Sequence, residues 1–385
     1  MDAWGVGIRS EWIFEENMTF LSHGSFGATP KVVLAAQNQW RERMESQLWR
    51  FMLSELPVLL RQKAEVLGKF IGTKGENLVF VENATSGVNA VIGSLDLTSA
   101  DEIVCLDHAY GAVEKTLRYY CKRSGASLRM AEIPFPLMEA EKVIQSLKAA
   151  MSNRTRIVVL DHITSKTGLV LPIEDMVAVC REAGVPVLVD GAHAPGMVPL
   201  NLDALAPDYY VGNCHKWLYT PKGCAFLYAR ADRQEGLHPT TISHGLGDGW
   251  LAEFDWTGTR DPSAWLCVSD GIAFMERLGF EQVRSYSKSL AEKGAQRICE
   301  AWGTERLVSS DMLGSMVTLA FPFPTGATEE AADALHDEIW GRHRIEVPVF
   351  PFGDQCYLRI SAQVYNTIDQ YERLAEVITP EGVRS

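Results

Sequence analysis

The stretch RIVVLDHITSKTGLVLPIEDMVAVCREAGVPVLVDGAHAPG (residues 156–196) decides the fold class. Two apolar runs, at 156–160 and 185–190, enclose a segment whose apolar residues have helical spacing. An apolar run without alternation is typical of a strand that is covered on both faces. Strand, helix and strand in this order are typical of a parallel sheet, with a right-handed crossover. The stretch therefore predicts one unit of a parallel α/β sheet.

The same pattern continues on both sides of this unit. A helix is predicted over 28–70, another from about Ser86, and a third through AVEKTLRYYCKRSG (112–125). Helices and parallel strands that alternate in this way indicate one large α/β domain. The strands predicted for it, besides those at 156–160 and 185–190, lie at 77–81, 102–106, 207–213 and 223–229.

After about residue 265 the pattern changes. Long helical segments at 264–301 and 327–342 flank strand-like pieces at 315–321 and 356–362. This arrangement is typical of a smaller α+β domain. We therefore expect a large domain with a mostly parallel sheet over residues 21–257. A small C-terminal domain would cover residues 258–385, and residues 1–20 would pack on it.

Charge and cysteine usage exclude several classes of protein. The 385 residues carry a formal net charge of −13, which argues against binding to nucleic acid. Eight cysteines contain no CxxC pair, which favours free thiols in a reducing compartment over disulfides or a metal site. The N-terminus lacks the apolar region of a signal peptide, and no apolar run is long enough to span a bilayer. We expect a cytoplasmic protein without a membrane partner.

Polar side chains follow five of the predicted strands. Because the carboxyl ends of parallel strands meet at one edge of the sheet, these side chains are expected to lie near one another. Any one of them is compatible with ordinary loop chemistry, but five together predict a ligand site. The five stretches are ENATSGVN (82–89), DHAYG (107–111), DHITSKTG (161–168), DGAHAPG (190–196) and NCHKW (213–217).

Each residue at this edge has a plain structural interpretation beside the functional one. Thr85 and Ser86 mark a helix start, which is either an anion site or an ordinary N-cap. Asp190 ends an apolar strand and needs a cationic partner, from the protein or from a ligand ring nitrogen. Lys216 either extends to water or is a desolvated, reactive amine. One ligand uses an anion site, a carboxylate and an amine together, and that ligand is pyridoxal 5′-phosphate.

At this point the sequence resembles a known family. Its motifs include LSHGSFGATP (21–30), VDGAHAPG (189–196), GNCHKWLYTPKG (212–223), EFDWTGTRDPSAW (253–265) and LRISAQVYNT (358–367). Together they resemble the class V aminotransferase group of fold-type-I pyridoxal-phosphate enzymes, whose fold is aspartate aminotransferase-like. Within that group the sequence is similar to the isopenicillin N epimerase-like branch. The resemblance covers essentially the whole chain, and it implies a homodimer with the active site at the interface.

The resemblance also implies a role for each matching residue. Lys216 would form the Schiff base and move the Cα proton of a small amino-acid substrate, and Asp190 would pair with the pyridinium nitrogen. Arg359 would hold the substrate carboxylate, and Arg260 would bind a second carboxylate or serve the interface. The phosphate would be bound by Thr85, Ser86, Asn213 and His215, and Thr259 would contact the phosphate in the partner subunit. The ring 3′-oxygen would be contacted by Ser165 and His193, and His108 or Tyr110 would stack on the ring. The substrate end of the pocket would be lined by His23 and Gly24.

The choice of reaction is the least determined part of the prediction. The family chemistry allows β-elimination from a cysteine-type substrate, epimerisation at Cα, or transamination, all through a Cα carbanion. Persulfide transfer needs a cysteine on a loop upstream of Arg359, and GRHRIEVPVFPFGDQ (341–355) has none. Epimerisation needs a second acid, for which Tyr110, His23 and water are the candidates. We favour β-elimination; the non-enzyme alternative, a sensor domain that only binds the cofactor, would normally carry a DNA-binding segment.

Overall fold

The structure of the protein, a computed structural model, describes residues 4–136 and 139–379. Residues 1–3 and 380–385, which the prediction assigns to the small C-terminal domain and the segment packed on it, lie outside the described residues. The strands in chain order are β1 Thr19–Phe20, β2 Leu78–Val81, β3 Glu102–Leu106, β4 Ser127–Ala131, β5 Thr155–Asp161, β6 Val187–Asp190, β7 Tyr209–Asn213, β8 Ala225–Ala229, β9 Met316–Ala320, β10 Ile345–Glu346, β11 Val349–Phe352 and β12 Gln355–Ser361.

The helices cover both faces of the larger sheet and the outside of the smaller one. In chain order they are α1 His23–Phe26, α2 Lys31–Ser46, α3 Leu48–Arg50, α4 Leu56–Ile71, α5 Ala84–Gly93, α6 Gly111–Ser124, α7 Glu141–Ala150, α8 Ile173–Glu182, α9 Leu202–Leu205, α10 Cys214–Trp217, α11 Trp250–Asp255, α12 Ser263–Leu266, α13 Val268–Leu278, α14 Phe280–Trp302, α15 Glu329–His343 and α16 Ile368–Val377.

A seven-stranded sheet has the order β2-β8-β7-β6-β5-β3-β4. All its strands are parallel except β8, which runs antiparallel to both of its neighbours. Strand β8 is antiparallel to β7 because the connection between them contains only the short helix α10, whereas a parallel crossover needs a dozen residues or more. The α/β class and the mostly parallel sheet are confirmed.

The continuous apolar runs are explained by a sheet that is buried on both faces. In β5, Val158 and Leu160 belong to one apolar cluster, and Ile157 and Val159 belong to a second cluster on the other face. Helix α5 packs within the second cluster, through residues such as Val88. Side chains at the end of β5 that point to the same face as Ile157 and Val159 therefore lie on the side of the sheet that α5 covers.

A second sheet, with the order β11-β12-β9, is antiparallel and lies in the C-terminal part of the chain. Helices α14 and α15 pack on it. The N-terminal segment joins this region, because Thr19 pairs with Ile345 in a short parallel ladder. The division of the chain at residue 257 stays a prediction. Within the ranges 4–136 and 139–379, no helix has the length and apolar character needed to cross a membrane.

Two predicted helices differ from the structure, and one strand of the large sheet is absent from the prediction. The helix predicted over 28–70 begins at Lys31, breaks at Gln47 and continues through a π-helical turn at Phe51–Glu55. Pro57, in the first turn of α4, has no N–H to donate and therefore disturbs the regular ladder before it. The predicted helix 264–301 is divided into α12, α13 and α14, with Gly279 at φ 84° between the last two. Strand β4 was missing from the prediction, because this edge strand is only partly buried and contains Arg129.

Candidate active site

A cavity of about 710 Å³ lies at the carboxyl edge of the seven-stranded sheet. The ends of β5, β6 and β7 and the first turn of α5 form its walls. Most of the residues predicted for the site come together here, as expected for the carboxyl ends of adjacent parallel strands. The predicted residues that line the cavity are Thr85, Ser86, Tyr110, Ser165, Asp190, His193, Asn213, His215 and Lys216.

Hydrogen bonds around His193 define the state of the Lys216 amine. The Trp217 indole N–H donates to His193 Nδ1 at 3.3 Å, and an indole nitrogen is only a donor. Burial keeps the His193 pKa well below its ordinary value, so the ring is neutral and Nε2 carries its proton. This nitrogen lies 3.1 Å from Lys216 Nζ, which must accept the hydrogen bond through a lone pair. The arrangement therefore requires an uncharged amine.

The electrostatic surroundings of Lys216 agree with this hydrogen-bond pattern. Desolvation and, to a smaller extent, the nearby Arg359 lower the pKa of the amine to about 7, against the opposing effect of Asp190. Lys216 lies in α10, directly after β7, where the sheet and α1 surround it. A lysine amine that is neutral near pH 7 is a competent nucleophile and proton acceptor.

Asp190 occupies the end of β6 and has no ion-pair partner within the described residues. Its side chain accepts the Ala192 N–H at 3.0 Å and is only 4% exposed. Burial raises the pKa of its carboxyl, while the Ala192 N–H and Lys216 oppose that rise. A buried carboxylate in this position gains stability from any cation that enters the cavity.

The first turn of α5 contributes two hydroxyl side chains to the cavity wall. The N-cap is Asn83, whose side chain accepts the Ser86 N–H at 2.9 Å. Asn213 Oδ1 accepts the Ala84 N–H at 2.9 Å, which fixes the helix start to the end of β7. Thr85 and Ser86 line the cavity beside these caps. The positive end of the helix dipole and the hydroxyls of Thr85 and Ser86 are suited to an anion such as a phosphate.

Arg359 lies behind the cavity wall and does not line the cavity. Its guanidinium donates to the Ser165 carbonyl and to Ser25 Oγ, while its Nε has no hydrogen-bond partner. Desolvation lowers its pKa to about 10, and no carboxylate of the described residues forms an ion pair with it. A buried guanidinium without an anionic partner is costly, so this position is suited to a carboxylate that enters from the cavity.

His23 and Gly24 lie near the site without lining the cavity. His23 Nε2 is 2.9 Å from the Lys216 carbonyl and Nδ1 is 2.7 Å from the Tyr365 hydroxyl, so both ring nitrogens have protein partners. A Cβ at Gly24 would lie 2.4 Å from Met316 Sδ, which explains the absence of a side chain. The next two residues, Ser25 and Phe26, line the cavity instead.

His108 does not line the cavity, and its predicted stacking on the ring stays a prediction. It is 1% exposed, and its Nδ1 lies 2.8 Å from Thr167 Oγ1. Its ring meets Phe352 edge-on at 4.7 Å. Tyr110, two residues later, is 46% exposed and lines the cavity. Of the two aromatic candidates for the wall, Tyr110 is the one that reaches the ligand space.

Thr259 and Arg260 lie on a neighbouring cavity of about 510 Å³, which shares Glu82 and Gly223 with the first. Arg260 pairs with Glu82, donates to Thr257 Oγ1, and lies over the ring of Trp265 at 4.7 Å. Because Glu82 already neutralises its charge, the geometry favours a structural role for Arg260 over a substrate carboxylate site.

Asp161 is a cavity residue that the sequence analysis did not select. It ends β5 as Asp190 ends β6, and the two are direct register partners. The signal was present, because the apolar runs RIVVL and VPVLV are each followed by an aspartate. Only the structure shows that both carboxyls line one cavity. Other lining residues that were not predicted are Asn89, Ile163, Ala192 and Thr240.

All eight cysteines are free and buried, which confirms that part of the prediction. Cys356 is fully buried in β12, and its thiol donates to the Gly326 carbonyl at 2.9 Å. Cys214 is also fully buried, beside Cys224. None of the eight lines the cavity that contains Lys216.

Comparison with known proteins agrees with this geometry. The chain is 32% identical to a probable chloroplastic L-cysteine desulfhydrase of Arabidopsis thaliana, over 96% of this chain and 84% of that protein. It is 34% identical to the isopenicillin N epimerase of Amycolatopsis lactamdurans, over 98% of both chains. The fold is similar to that of the cystine C-S lyase C-DES, in complex with cysteine persulfide, with a TM-score of 0.77 and 22% identity over 94% of this chain and 97% of that chain.

A C-DES variant with glycine covalently linked to its PLP cofactor is similar to the same degree, with a TM-score of 0.79 and 22% identity over 96% of this chain and 98% of that chain. These similarities confirm the predicted fold-type-I architecture. Residues 24–374 match the family described as Aminotransferase class-V, which confirms the resemblance found in the sequence. The chain belongs to the class-V aminotransferase family.

Proposed function

We propose that the protein is a pyridoxal-phosphate-dependent lyase that eliminates the sulfur substituent from Cβ of a small, cysteine-type amino acid. The observation that carries this proposal is the composition of the cavity region. It combines the neutral amine of Lys216, the unpaired carboxyl of Asp190 and the unpaired guanidinium of Arg359, without a thiol. Pyruvate, ammonia and a sulfur species would be the products.

The residues present fit the cofactor in chemistry and in space. The first turn of α5, with Thr85 and Ser86, offers donors for the phosphate, and His215 lines the same side. Asp190 offers the carboxylate for the ring nitrogen, and Lys216 offers the amine for the aldehyde carbon. When bound, pyridoxal phosphate withdraws electron density from Cα of the amino acid.

Lys216 and His193 perform the proton transfer in this proposal. The Lys216 amine accepts the Cα proton, and its lowered pKa places it near the range in which it can also return a proton. His193 directs the amine through the bond between Nε2 and Nζ, and Trp217 holds the imidazole in that tautomer. Ser165 and His193 line the cavity, and the resemblance implies that they contact the ring 3′-oxygen.

Arg359 orients the substrate in this proposal. Its guanidinium lies behind Ser25 and Ser165, and both of these residues line the cavity. A small movement of the Ser25 side chain exposes the planar fork to a carboxylate, which would supply the missing partner of Nε. Binding of the substrate α-carboxylate there fixes Cα within reach of Lys216.

The buried cysteines favour elimination over persulfide transfer. A sulfur-accepting cysteine must be accessible and easily ionised, but Cys356 is fully buried and desolvation raises its pKa. The relatives that bear the name L-cysteine desulfhydrase support the same reaction type. Sulfur therefore leaves to solvent rather than to a protein thiol.

Epimerisation is the second candidate because Tyr110 lines the cavity with an exposed side chain. A phenol in that position can deliver a proton to the face of Cα opposite Lys216. His23 is less suited to this role, since both of its ring nitrogens are bonded within the protein. The isopenicillin N epimerase relative agrees with this alternative.

One panel of substrates separates the candidate reactions. The purified protein is incubated in deuterated water with L-cysteine, S-substituted cysteines and other small amino acids. We expect pyruvate, ammonia and sulfide or thiol from the cysteine-type substrates. Cα deuteration with loss of optical activity and no pyruvate would instead establish epimerisation. A keto acid that forms only with an amino acceptor would establish transamination. Lys216→Ala is the control and must abolish each of these products.

We also propose a homodimer, in which Thr259 reaches the phosphate site of the partner subunit. Thr259 lies on the cavity adjacent to the one that contains Lys216. Light scattering should give twice the 42.7 kDa chain mass, and Trp49→Glu should give the monomer mass. A wild-type monomer would contradict the proposal. The homodimer proposal is supported by a group of exposed apolar side chains along residues 31–58, which a partner subunit would cover. They are Val32, Leu48, Trp49, Leu53 and Val58.

The proposed location is the cytoplasm. Eight free cysteines without a disulfide are typical of a reducing compartment. Cell fractionation tests this directly: we expect the protein in the cytosolic fraction, and its recovery from an organelle would contradict the proposal.

A further inference from the structure

Asp161 and Asp190 form a pair of buried carboxyls at the carboxyl edge of the sheet. They are register partners at the ends of β5 and β6, each is 4% exposed, and both line the cavity. Neither forms an ion pair within the parts of the chain that the structure describes. Two carboxylates this close in a desolvated place cannot both be ionised without a large cost.

The surroundings of the two carboxyls decide which one keeps a proton. Asp190 accepts the Ala192 N–H and lies near Lys216, and both interactions favour its ionised form. Among the described residues, Asp161 accepts backbone N–H groups, including that of Tyr110, and burial and the charge of Asp190 raise its pKa well above the ordinary value. The proton of the pair therefore belongs to Asp161.

Among the residues that the structure describes, the other titratable groups near Asp161 supply no compensating positive charge. From β3, the buried Cys105 thiol faces it, and desolvation and Asp161 raise the pKa of that thiol to about 12. On its own strand end, His162 is bonded through Nδ1 to the Tyr210 hydroxyl, and burial lowers the His162 pKa to about 4. Lys216 favours the ionised form of Asp190, and its pKa of about 7 leaves the amine only partly charged near pH 7.

We propose that Asp161 is a second cofactor-facing carboxyl, which holds a proton in the cofactor-free protein and becomes a carboxylate when the cationic cofactor ring is seated. This inference rests on the proposed function. The Asp161 O–H bond breaks, and the proton leaves through the open cavity to solvent. A positive charge within a few ångströms favours the ionised form, so the ring cation would replace the proton as the partner of the pair.

The protonation of Asp161 makes the folding stability of the cofactor-free protein depend on pH. In the cofactor-free protein the folded-state pKa of Asp161 lies above its unfolded value. Folding stability is therefore lost as the pH rises from the unfolded pKa toward the folded one, and this penalty persists at neutral pH. Asp161→Asn removes the penalty. It also removes the charge that attracts the ring cation. The substitution should therefore stabilise the cofactor-free fold and weaken binding of the cofactor.

The test uses the full chain after removal of its cofactor. Melting temperatures of wild type and Asp161→Asn are compared between pH 4 and pH 8, and pyridoxal 5′-phosphate is titrated into both. We expect a higher melting temperature for Asp161→Asn at pH 8 and equal values near pH 4. The dissociation constant of pyridoxal 5′-phosphate should rise about tenfold at pH 8, the size of one pKa unit of interaction, and this ratio should shrink toward acid pH.

Asp208→Asn is the matched control, because Asp208 is a buried aspartate that already has cationic partners, Arg230 and Arg233. It should lower the melting temperature and leave pyridoxal 5′-phosphate binding unchanged. The inference is overturned if Asp161→Asn lowers the melting temperature, does not fold, or binds pyridoxal 5′-phosphate as tightly as wild type. If wild type itself gives no visible absorption band with pyridoxal 5′-phosphate, the proposed function fails, and the melting curves still report on the carboxyl pair.

Discussion

At the amino edge of the seven-stranded sheet buried carboxylates have ion-pair partners, whereas at the carboxyl edge they do not. Asp208, directly before β7, accepts hydrogen bonds from Arg230, Arg233 and the Val187 N–H. Asp190 and Asp161, at the other edge, have backbone partners only, among the described residues.

The same contrast holds for the cations. Arg230 at the amino edge is paired with Asp208 and Asp232. Arg359 near the carboxyl edge has no carboxylate partner in the described part of the chain, and Lys216 has a neutral histidine as its partner. Unpaired buried charges are costly for folding, so their concentration at one edge indicates groups that a ligand completes. We therefore propose that the amino edge supports the fold and that the carboxyl edge supports the chemistry.

Removal of the Lys216 amine is the strongest test of this contrast. Lys216→Ala should lower turnover at least about 1,000-fold, because nucleophile and proton acceptor are lost together. The visible absorption band of the lysine-linked cofactor should disappear. Steady-state kinetics and absorption spectra measure both effects. Lys222→Ala is the control, since this loop lysine does not line the cavity and should leave both unchanged. Full turnover by Lys216→Ala would remove the basis of the proposal.

Arg359 is expected to act on substrate binding. Arg359→Ala should raise KM for α-amino acids about 100-fold with a smaller change in kcat, because a charged, bidentate hydrogen bond to the carboxylate is lost. Arg359→Lys keeps the charge but not the planar fork, and should recover only part of the loss. An unchanged KM for Arg359→Ala would show that the carboxylate binds elsewhere.

Asp208 tests the amino edge. Asp208→Asn should destabilise the protein by about 2 kcal/mol, roughly 30-fold in the unfolding equilibrium, because two partly exposed arginines lose their shared anion. Denaturant unfolding measures the change, and kcat/KM of the remaining folded enzyme should be that of wild type. A fall in kcat/KM with unchanged stability would reverse the roles assigned to the two edges.

The pH dependence of cofactor attachment sharpens the assignment of Lys216. Only the neutral amine attacks a carbonyl, and the Lys216 pKa is about 7. The rate at which cofactor-free protein develops its visible band with pyridoxal 5′-phosphate should rise about tenfold per pH unit below pH 7 and level off above it. Stopped-flow absorbance between pH 5.5 and 9.5 gives the profile. A rate that still rises at pH 9.5 would indicate an ordinary, solvated lysine.

Several features could be read from the sequence because they depend on local patterns. Strands β5 and β6 were found from their apolar runs, and the residues after them were expected at one edge by the geometry of parallel sheets. The cavity position of Lys216 and Asp190 agrees with that expectation. Strand β4 was not found, since an edge strand with one exposed face lacks a continuous apolar run.

Other features depend on contacts between distant residues. His23 contacts Lys216 and Tyr365, and His108 contacts Thr167, so neither histidine lines the cavity. The sequence by itself determined the fold class, the family and the lysine, because apolar periodicity and short motifs are local. Only the tertiary structure decided which charges lack a partner, since pairing depends on side chains far apart in the chain. That is why Asp161, which follows its strand as Asp190 does, became visible as a site residue only in the folded protein.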